Sequence, residues 1–112
     1  MLSVLRLESD VPWVIGAAML VRRAAIDDVG GMDQRFFLYH EDQDWCIRMW
    51  RAGWHVVLTL EVVIHHAYRR ASRKPASRAS WHHLSSTMKF YRKYPCLLTG
   101  TPPVDLPADR PY

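Results

Sequence analysis

The spacing of apolar residues predicts one clear helix near the middle of the chain, over residues 42–52. Cys46, Met49 and Trp50 recur at the i, i+3 and i+4 positions of a buried face, and Gly53 continues that spacing. Acidic residues occupy the first turn and a basic residue the last, which suits the helix dipole. Glycine readily adopts the backbone conformation that ends a helix, so Gly53 is predicted to terminate this one.

A second amphipathic helix is predicted over residues 80–93, and Pro95 ends it. Its basic residues lie away from its apolar stripe, so two interpretations are open. The apolar stripe packs on the rest of the domain, or the basic helix lies against an anionic lipid surface. The apolar stripe consists of Trp81, Leu84, Met88 and Tyr91.

Short elements account for most of the remaining ordered sequence. One or two helical turns are predicted over residues 22–29, because apolar residues share a face there and two glycines follow. Apolar and Val-rich runs predict a mostly buried strand over 17–22 and one or two short β segments over 54–60 and 61–65. The aromatic run 36–39 fits either a strand or a loop.

Length and composition restrict the class of protein. With 112 residues and 49% hydrophobic content, the chain is one globular domain or less. The apolar run 11–21 is shorter than the roughly 20 residues that a membrane-spanning helix needs. The first ten residues lack the pattern of a secretory signal. Cys46 and Cys96 fit no metal-ligand spacing and are expected to be reduced thiols. These features together predict a cytoplasmic protein.

Charge is distributed unevenly along the chain. Residues 1–61 contain six Lys or Arg and nine Asp or Glu, whereas residues 62–104 contain eight Lys or Arg and no acid. Such a basic segment favours the phosphates of a nucleotide, a lipid headgroup or a nucleic acid. A solvated basic face without a ligand is an equally simple interpretation.

Four short motifs hold the residues with candidate chemistry. In isolation each fits a structural role, since acids at a helix start act as caps and glycines end helices. Their order, spacing and intervening residues are more informative than any one of them. The motifs are Trp13-x-x-Gly16, Gly30-Gly-Met-Asp33, Glu41-Asp-x-Asp44 and Val63-Ile-His-His66.

Taken together over residues 11–70, and more loosely to residue 94, these motifs closely resemble the C-terminal half of family 2 glycosyltransferases. The resemblance is nearest to the rhamnosyltransferase-like branch that builds bacterial cell-wall and surface glycans. It implies an α/β chain of few short strands plus helices, forming half of a GT-A nucleotide-diphospho-sugar transferase fold. That fold is incomplete without an N-terminal nucleotide-binding half.

The same resemblance implies a division of the chain into three parts. Residues 1–75 would form the acceptor-side part of the catalytic domain, residues 76–95 a basic amphipathic helix, and residues 96–112 a Pro-rich disordered tail.

The resemblance also implies roles for individual residues. Asp42 corresponds to the catalytic base, which takes a proton from an acceptor hydroxyl, and Glu41 would orient the acceptor or support that base. His65 corresponds to a ligand of Mg²⁺ or Mn²⁺, although Ala67 and Tyr68 stand where the family usually has glycines.

Further binding residues are implied near the sugar. Trp13 and Gly16 match positions under the donor or acceptor sugar, and core packing is equally consistent for Trp13. Asp44 and Arg48 fit either the structure of the helix start or a contact with substrate. The triplet Asp42-Gln-Asp44 also matches an Asp-x-Asp metal motif, but it opens an amphipathic helix instead of ending a buried strand, so we reject that interpretation.

The implied activity is transfer of a sugar, with rhamnose as a candidate, from a nucleotide-diphosphate donor to a glycan or polyprenyl-linked acceptor with inversion. The chain alone is expected to be inactive, because the donor-binding half is not in it. A peripheral location at the inner face of the membrane would suit such an acceptor. The alternative is an inactive remnant or partner-binding module. A nucleic-acid-binding protein is disfavoured because no such motif is present, and a stand-alone zinc protein because no Cys/His ligand pattern is present.

Overall fold

A computed structural model describes residues 8–67 and 77–106 of the chain. Within these ranges the architecture is mixed α/β, with helices dominant. The basic residues, Ser and Pro of 69–78 predict a mobile connector, most of which lies outside the described residues. The elements are β1 (Glu8–Asp10), α1 (Arg23–Val29), α2 (Glu41–Arg51), β2 (Val57–Thr59) and α3 (Arg78–Lys93), followed by a 3₁₀ helix (Pro95–Thr99).

Helix α2 lies at the centre of the fold and matches the predicted helix to within a residue at each end. Its first turn carries Glu41, Asp42 and Asp44 and its last turn carries Arg48 and Arg51, so charges oppose the dipole at both ends. Gly53 follows with a φ of 88°, the left-handed conformation that ends many helices. Local sequence therefore specifies this helix.

The core consists of two apolar clusters that meet at α2. One cluster joins α2 to α3, and the other joins α2 to α1, to residues 11–21 and to the segment that precedes β2. Because side chains from both clusters come from α2, this helix is covered on more than one side. The first cluster contains Phe36, Ile47, Phe90 and Tyr94, and the second contains Trp45, Cys46, Met49 and Val56.

The sheet is a short antiparallel pair in which Ser9 lies opposite Leu58. The strand predicted over 54–60 is thus confirmed in its central part. The strands predicted over 17–22 and 61–65 are wrong, since both segments are irregular. Apolar sequence favours a strand only where a neighbour supplies backbone hydrogen bonds. Among the described residues, β1 and β2 are the strands that pair.

Helix α3 forms as predicted, and the side chain of Ser77 caps it by accepting a hydrogen bond from the backbone N–H of Ser80. Its packed side is not the apolar stripe that one of the two interpretations placed against the domain. Phe90 and Ser86 are buried against the domain, whereas the predicted apolar stripe from Trp81 to Tyr91 is exposed. Within the described ranges, no helix combines the length and apolar character that crossing a membrane requires.

The segment after α3 corrects another expectation. Residues 96–112 were predicted to form a disordered tail, yet Cys96, Leu97 and Val104 pack against the first apolar cluster. The backbone carbonyl of Pro103 accepts a hydrogen bond from the side chain of Arg51. The tail prediction is therefore wrong through residue 106, because scattered apolar residues find a partner surface that composition does not show. Residues 107–112 lie outside the described residues.

Candidate functional site

The predicted base, Asp42, lies at the start of α2 in contact with the loop that holds Gly16. Its Oδ2 accepts a hydrogen bond from the backbone N–H of Gly16 at 2.9 Å, and its Oδ1 accepts one from the backbone N–H of Gln43 at 2.8 Å. Two short backbone contacts hold the carboxylate in one orientation. A carboxylate has about four acceptor positions, so both oxygens can still accept a further hydrogen bond.

A cavity of about 470 Å³ opens beside this carboxylate. Its volume falls in the range of small-molecule sites. Four of the residues assigned from sequence line it together, although they come from two separate segments of the chain. These residues are Trp13, Gly16, Glu41 and Asp42.

Glu41 has one carboxylate oxygen that makes no hydrogen bond to the described residues. Its Oε2 is buried, and no donor among the described residues lies within hydrogen-bond distance. A buried oxygen of this kind costs free energy unless another group satisfies it.

The backbone leading into α2 is unusual. Tyr39 and His40 both have positive φ values, 68° and 66°. This conformation is uncommon for residues with a side chain, and it is found disproportionately at functional sites. The ring of His40 lies 2.6 Å from Oε1 of Gln43 and 2.9 Å from Oγ1 of Thr87, distances between hydrogen-bonding atoms. These contacts on both ring nitrogens secure the turn that places Glu41 and Asp42 at the cavity.

Asp44 is directed into the interior, away from the cavity. Its side chain is fully buried, and it accepts hydrogen bonds from the Tyr94 hydroxyl at 2.6 Å and from Arg48 Nε at 2.9 Å. Lys93 Nζ lies 2.6 Å from the same carboxylate. Burial, and then the hydrogen bond to Asp44, raise the pKa of Tyr94. Asp44 therefore cannot contact a substrate in this structure, and it ties α2 to the end of α3.

Arg48 is likewise committed to the fold. Besides its bond to Asp44, its guanidinium donates to the backbone carbonyls of Val29 and Gly31, both at 2.7 Å. The structure thus agrees with the helix-start interpretation of Asp44 and Arg48, and it places neither residue at the cavity. Arg48 uses three of its five N–H donors in these contacts, so a substrate contact by Arg48 stays a prediction.

Asp33 of the Gly-Gly-Met-Asp motif forms a second link to α3. The Arg35 side chain donates to it, and Lys93 Nζ lies 3.0 Å from its Oδ2. The hydrogen bonds from Arg35, with a smaller contribution from Lys93, hold the pKa of Asp33 well below its ordinary value. Lys93 therefore bridges Asp33 and Asp44.

The adjacent histidines differ in position. His66 lines the cavity beside Asp42, whereas His65 is exposed and is not among the residues that line it. Within residues 8–67 and 77–106, no group of three or more His, Cys, Asp or Glu side chains could hold a metal ion. These residues alone do not fit a divalent cation, so metal binding by His65 stays a prediction.

Two histidines that line the cavity were not predicted as site residues from the sequence. His40 and His83 both line it, and His83 reaches it from α3, more than forty residues further along the chain. The ring of His83 lies 4.5 Å from that of Tyr39. The only available signal was helical phase, which puts His83 on a different side of α3 from Trp81 and Met88.

Comparison with known proteins agrees with the motifs. Residues 1–101 match the family model described as glycosyl transferase family group 2. The chain is 42% identical over 80 residues to N-acetylglucosaminyl-diphospho-decaprenol L-rhamnosyltransferase from Mycobacterium tuberculosis, in strains CDC 1551 / Oshkosh and ATCC 25618 / H37Rv. This alignment covers 70% of the chain and 26% of each relative. It is 39% identical over 82 residues to Rhamnosyltransferase WbbL of Escherichia coli strain K12, covering 71% of the chain and 30% of that protein.

These relatives are much longer than the aligned region, which spans less than a third of their length. No solved structure matches the chain. The family assignment therefore depends on the sequence match, which takes in all four motifs and the whole of α3. Because the family model covers residues 1–101 of the 112, the chain belongs to glycosyl transferase family group 2.

Proposed function

We propose that this chain is the acceptor-side part of an inverting sugar transferase of the GT-A type, with Asp42 as the general base. The observation that carries the proposal is the placement of Asp42 at the cavity, with both of its oxygens oriented by backbone N–H groups. Neither contact uses up the acceptor capacity that a base needs.

In the proposed reaction, an acceptor hydroxyl binds in the cavity and donates its hydrogen bond to Asp42. As the hydroxyl oxygen attacks the anomeric carbon of the donor sugar, the carboxylate takes the proton. The bond from that carbon to the nucleoside diphosphate breaks on the opposite face, so the configuration inverts. Glu41, which lines the same cavity, orients the acceptor or supports Asp42.

The proposed donor sugar and acceptor are the classes named for one of the relatives. One relative is named as an L-rhamnosyltransferase acting on N-acetylglucosaminyl-diphospho-decaprenol. We propose the same classes here, which are a nucleotide-linked L-rhamnose donor and a polyprenyl-diphosphate-linked glycan acceptor. Binding of Mg²⁺ or Mn²⁺ against the donor diphosphate remains a prediction.

A broad apolar groove supports the view that a donor-binding half completes the fold. The groove has a volume of about 1270 Å³ and lies between residues 11–22 and the β2 segment. Leu20, Leu58 and Ile64 line it and are exposed. Contiguous apolar surface of this kind marks an interaction site. We propose that an N-terminal nucleotide-binding half covers it, so the chain alone does not turn over donor.

The test is a hybrid enzyme in which this chain replaces the matching region of the Mycobacterium tuberculosis relative. The hybrid should transfer L-rhamnose to the lipid-linked acceptor, and the chain by itself should not. Asp42→Asn in the hybrid should lower kcat by roughly 10²–10⁴-fold while donor binding persists. Asp27→Asn is the matched control, because that carboxylate makes only an exposed ion pair with Arg23.

Two outcomes would reject the proposal. Asp42→Asn activity within a few-fold of the unsubstituted hybrid would exclude Asp42 as the base. A folded hybrid without any transfer would favour the alternative, an inactive remnant or partner-binding module.

A further inference from the structure

The side of α3 that faces away from the domain is apolar and exposed. We call it the exposed α3 face. Its members recur at three- and four-residue intervals, which aligns them along one side of the helix. It consists of Trp81, Leu84, Met88 and Tyr91, whose exposed fractions are 68%, 52%, 57% and 38%.

Positive charge flanks this face at both ends. Arg78 lies three residues before Trp81, and Arg92 lies four residues after Met88, so both arginines neighbour the apolar face. Both are exposed. Lys89 and Lys93, in contrast, are directed towards the domain, where they contact the backbone carbonyl of Arg35 and the carboxylate of Asp33.

The absence of acidic residues distinguishes between candidate partners. Residues 77–104 contain no Asp or Glu. A second copy docked through the same face would bring arginine near arginine, an arrangement that like charge disfavours. An anionic lipid surface offers both an apolar region for the four side chains and negative headgroups for the arginines. Trp and Tyr are also the residues that favour the membrane–water boundary.

We propose that the exposed α3 face docks on the headgroup region of an anionic lipid bilayer. The helix lies along the surface and does not cross it. His83 belongs to the same helix and lines the cavity beside Asp42. Docking of α3 therefore holds that cavity close to the lipid surface, where a lipid-linked substrate would present its headgroup. Lipid binding itself does not depend on sugar transfer, so it is tested separately from the proposed function.

The experiment measures cosedimentation of the full chain with phosphatidylcholine vesicles, with and without phosphatidylglycerol. Binding should require phosphatidylglycerol and weaken as salt increases. The double variant Leu84→Ser/Met88→Ser should bind about tenfold more weakly or worse, since it removes two apolar side chains from the lipid contact. The control double variant Leu20→Ser/Val63→Ser removes exposed apolar side chains elsewhere and should bind normally.

Circular dichroism checks that both double variants keep their helix content, which is expected because the replaced side chains are exposed. Failure of the wild-type chain to cosediment with the phosphatidylglycerol vesicles would overturn the proposal. Equal binding by wild type and Leu84→Ser/Met88→Ser would also overturn it.

Sedimentation equilibrium supplies a further outcome. A dimer of the wild-type chain that Leu84→Ser/Met88→Ser abolishes would make a second copy the occupant and reject the lipid surface.

Discussion

The backbone N–H of Gly16 donates a hydrogen bond to Oδ2 of Asp42 at 2.9 Å, although the two residues are 26 positions apart in the chain. This contact joins the Trp13-x-x-Gly16 motif to the Glu41-Asp-x-Asp44 motif. It gives a physical reason for their occurrence together, because the loop supplies a donor that fixes the carboxylate beside the cavity. A Cβ added at Gly16 would lie 3.5 Å from Cβ of Asp42, which is an ordinary van der Waals distance.

The first prediction tests whether activity depends on the N–H donor of Gly16 or on the absence of a side chain there. In the hybrid enzyme, Gly16→Pro removes the donor and should lower kcat by roughly 10- to 100-fold, the loss expected for one hydrogen bond to a charged group. Gly16→Ala keeps the N–H and should stay within a few-fold of the unsubstituted hybrid. Steady-state kinetics with saturating donor measure both. Equal activity of the two variants would show that the hydrogen bond has no part in positioning Asp42.

The second prediction concerns the two histidines of α3. His83 lines the cavity, whereas the ring of His82 lies 4.5 Å from that of Phe37 and does not line it. In the hybrid, His83→Ala should raise the KM for the acceptor several-fold and change kcat less, because a binding contact is lost and the base remains. His82→Ala is the matched control and should leave that KM unchanged. A similar KM for both variants would remove His83 from the acceptor site.

Periodicity was enough to predict α2 and α3, and the motifs were enough to bring Gly16, Glu41 and Asp42 to one cavity. Periodicity did not give the packed side of α3. One of the two open interpretations packed the apolar stripe on the domain, yet the core takes up Phe90, because Phe36 and Ile47 lie opposite it. That choice depends on residues forty or more positions away, which no local pattern reports.

The same dependence on distant residues applies to Asp44. Asp44 is sealed by Tyr94, fifty residues later, so its burial could not be inferred from its place in the first turn of α2. The apolar run 17–22 has the composition of a strand, but no strand within the described residues pairs with it. Its apolar residues line the broad groove instead. Composition therefore predicted the chemistry of this segment and not its backbone.

The third prediction tests the buried link between α2 and α3. Tyr94→Phe removes the hydroxyl that donates to Asp44 and leaves a buried carboxylate with one donor fewer. The free energy of unfolding should fall by about 1–3 kcal/mol. Urea denaturation followed by circular dichroism measures it. Tyr91→Phe is the control and should change stability little, because Tyr91 is on the exposed α3 face. Equal stability of the two variants would mean that the hydroxyl is not part of the link.

The fourth prediction uses the low pKa of Asp33. Its ordinary value is 3.8, and the Arg35 side chain holds the folded-state pKa well below it. Because the folded state favours the ionised carboxylate more than the unfolded chain does, this contribution is present above about pH 4. It is lost as the pH falls further. Asp33→Asn should thus lower the free energy of unfolding by about 1 kcal/mol at pH 7, and the difference should shrink towards pH 2.5.

Urea midpoints at pH 7, 5 and 2.5 provide the measurement. Asp27→Asn serves as the control, because its ion pair with Arg23 is exposed on both sides and should contribute little at any pH. A stability gap between wild type and Asp33→Asn that persisted unchanged at low pH would contradict the assignment. Below about pH 4 the unfolded chain takes up a proton at Asp33 that the folded state does not bind, so the gap must shrink if the low pKa is its source. In that case the gap would have to come from the shape of the Asp33 turn.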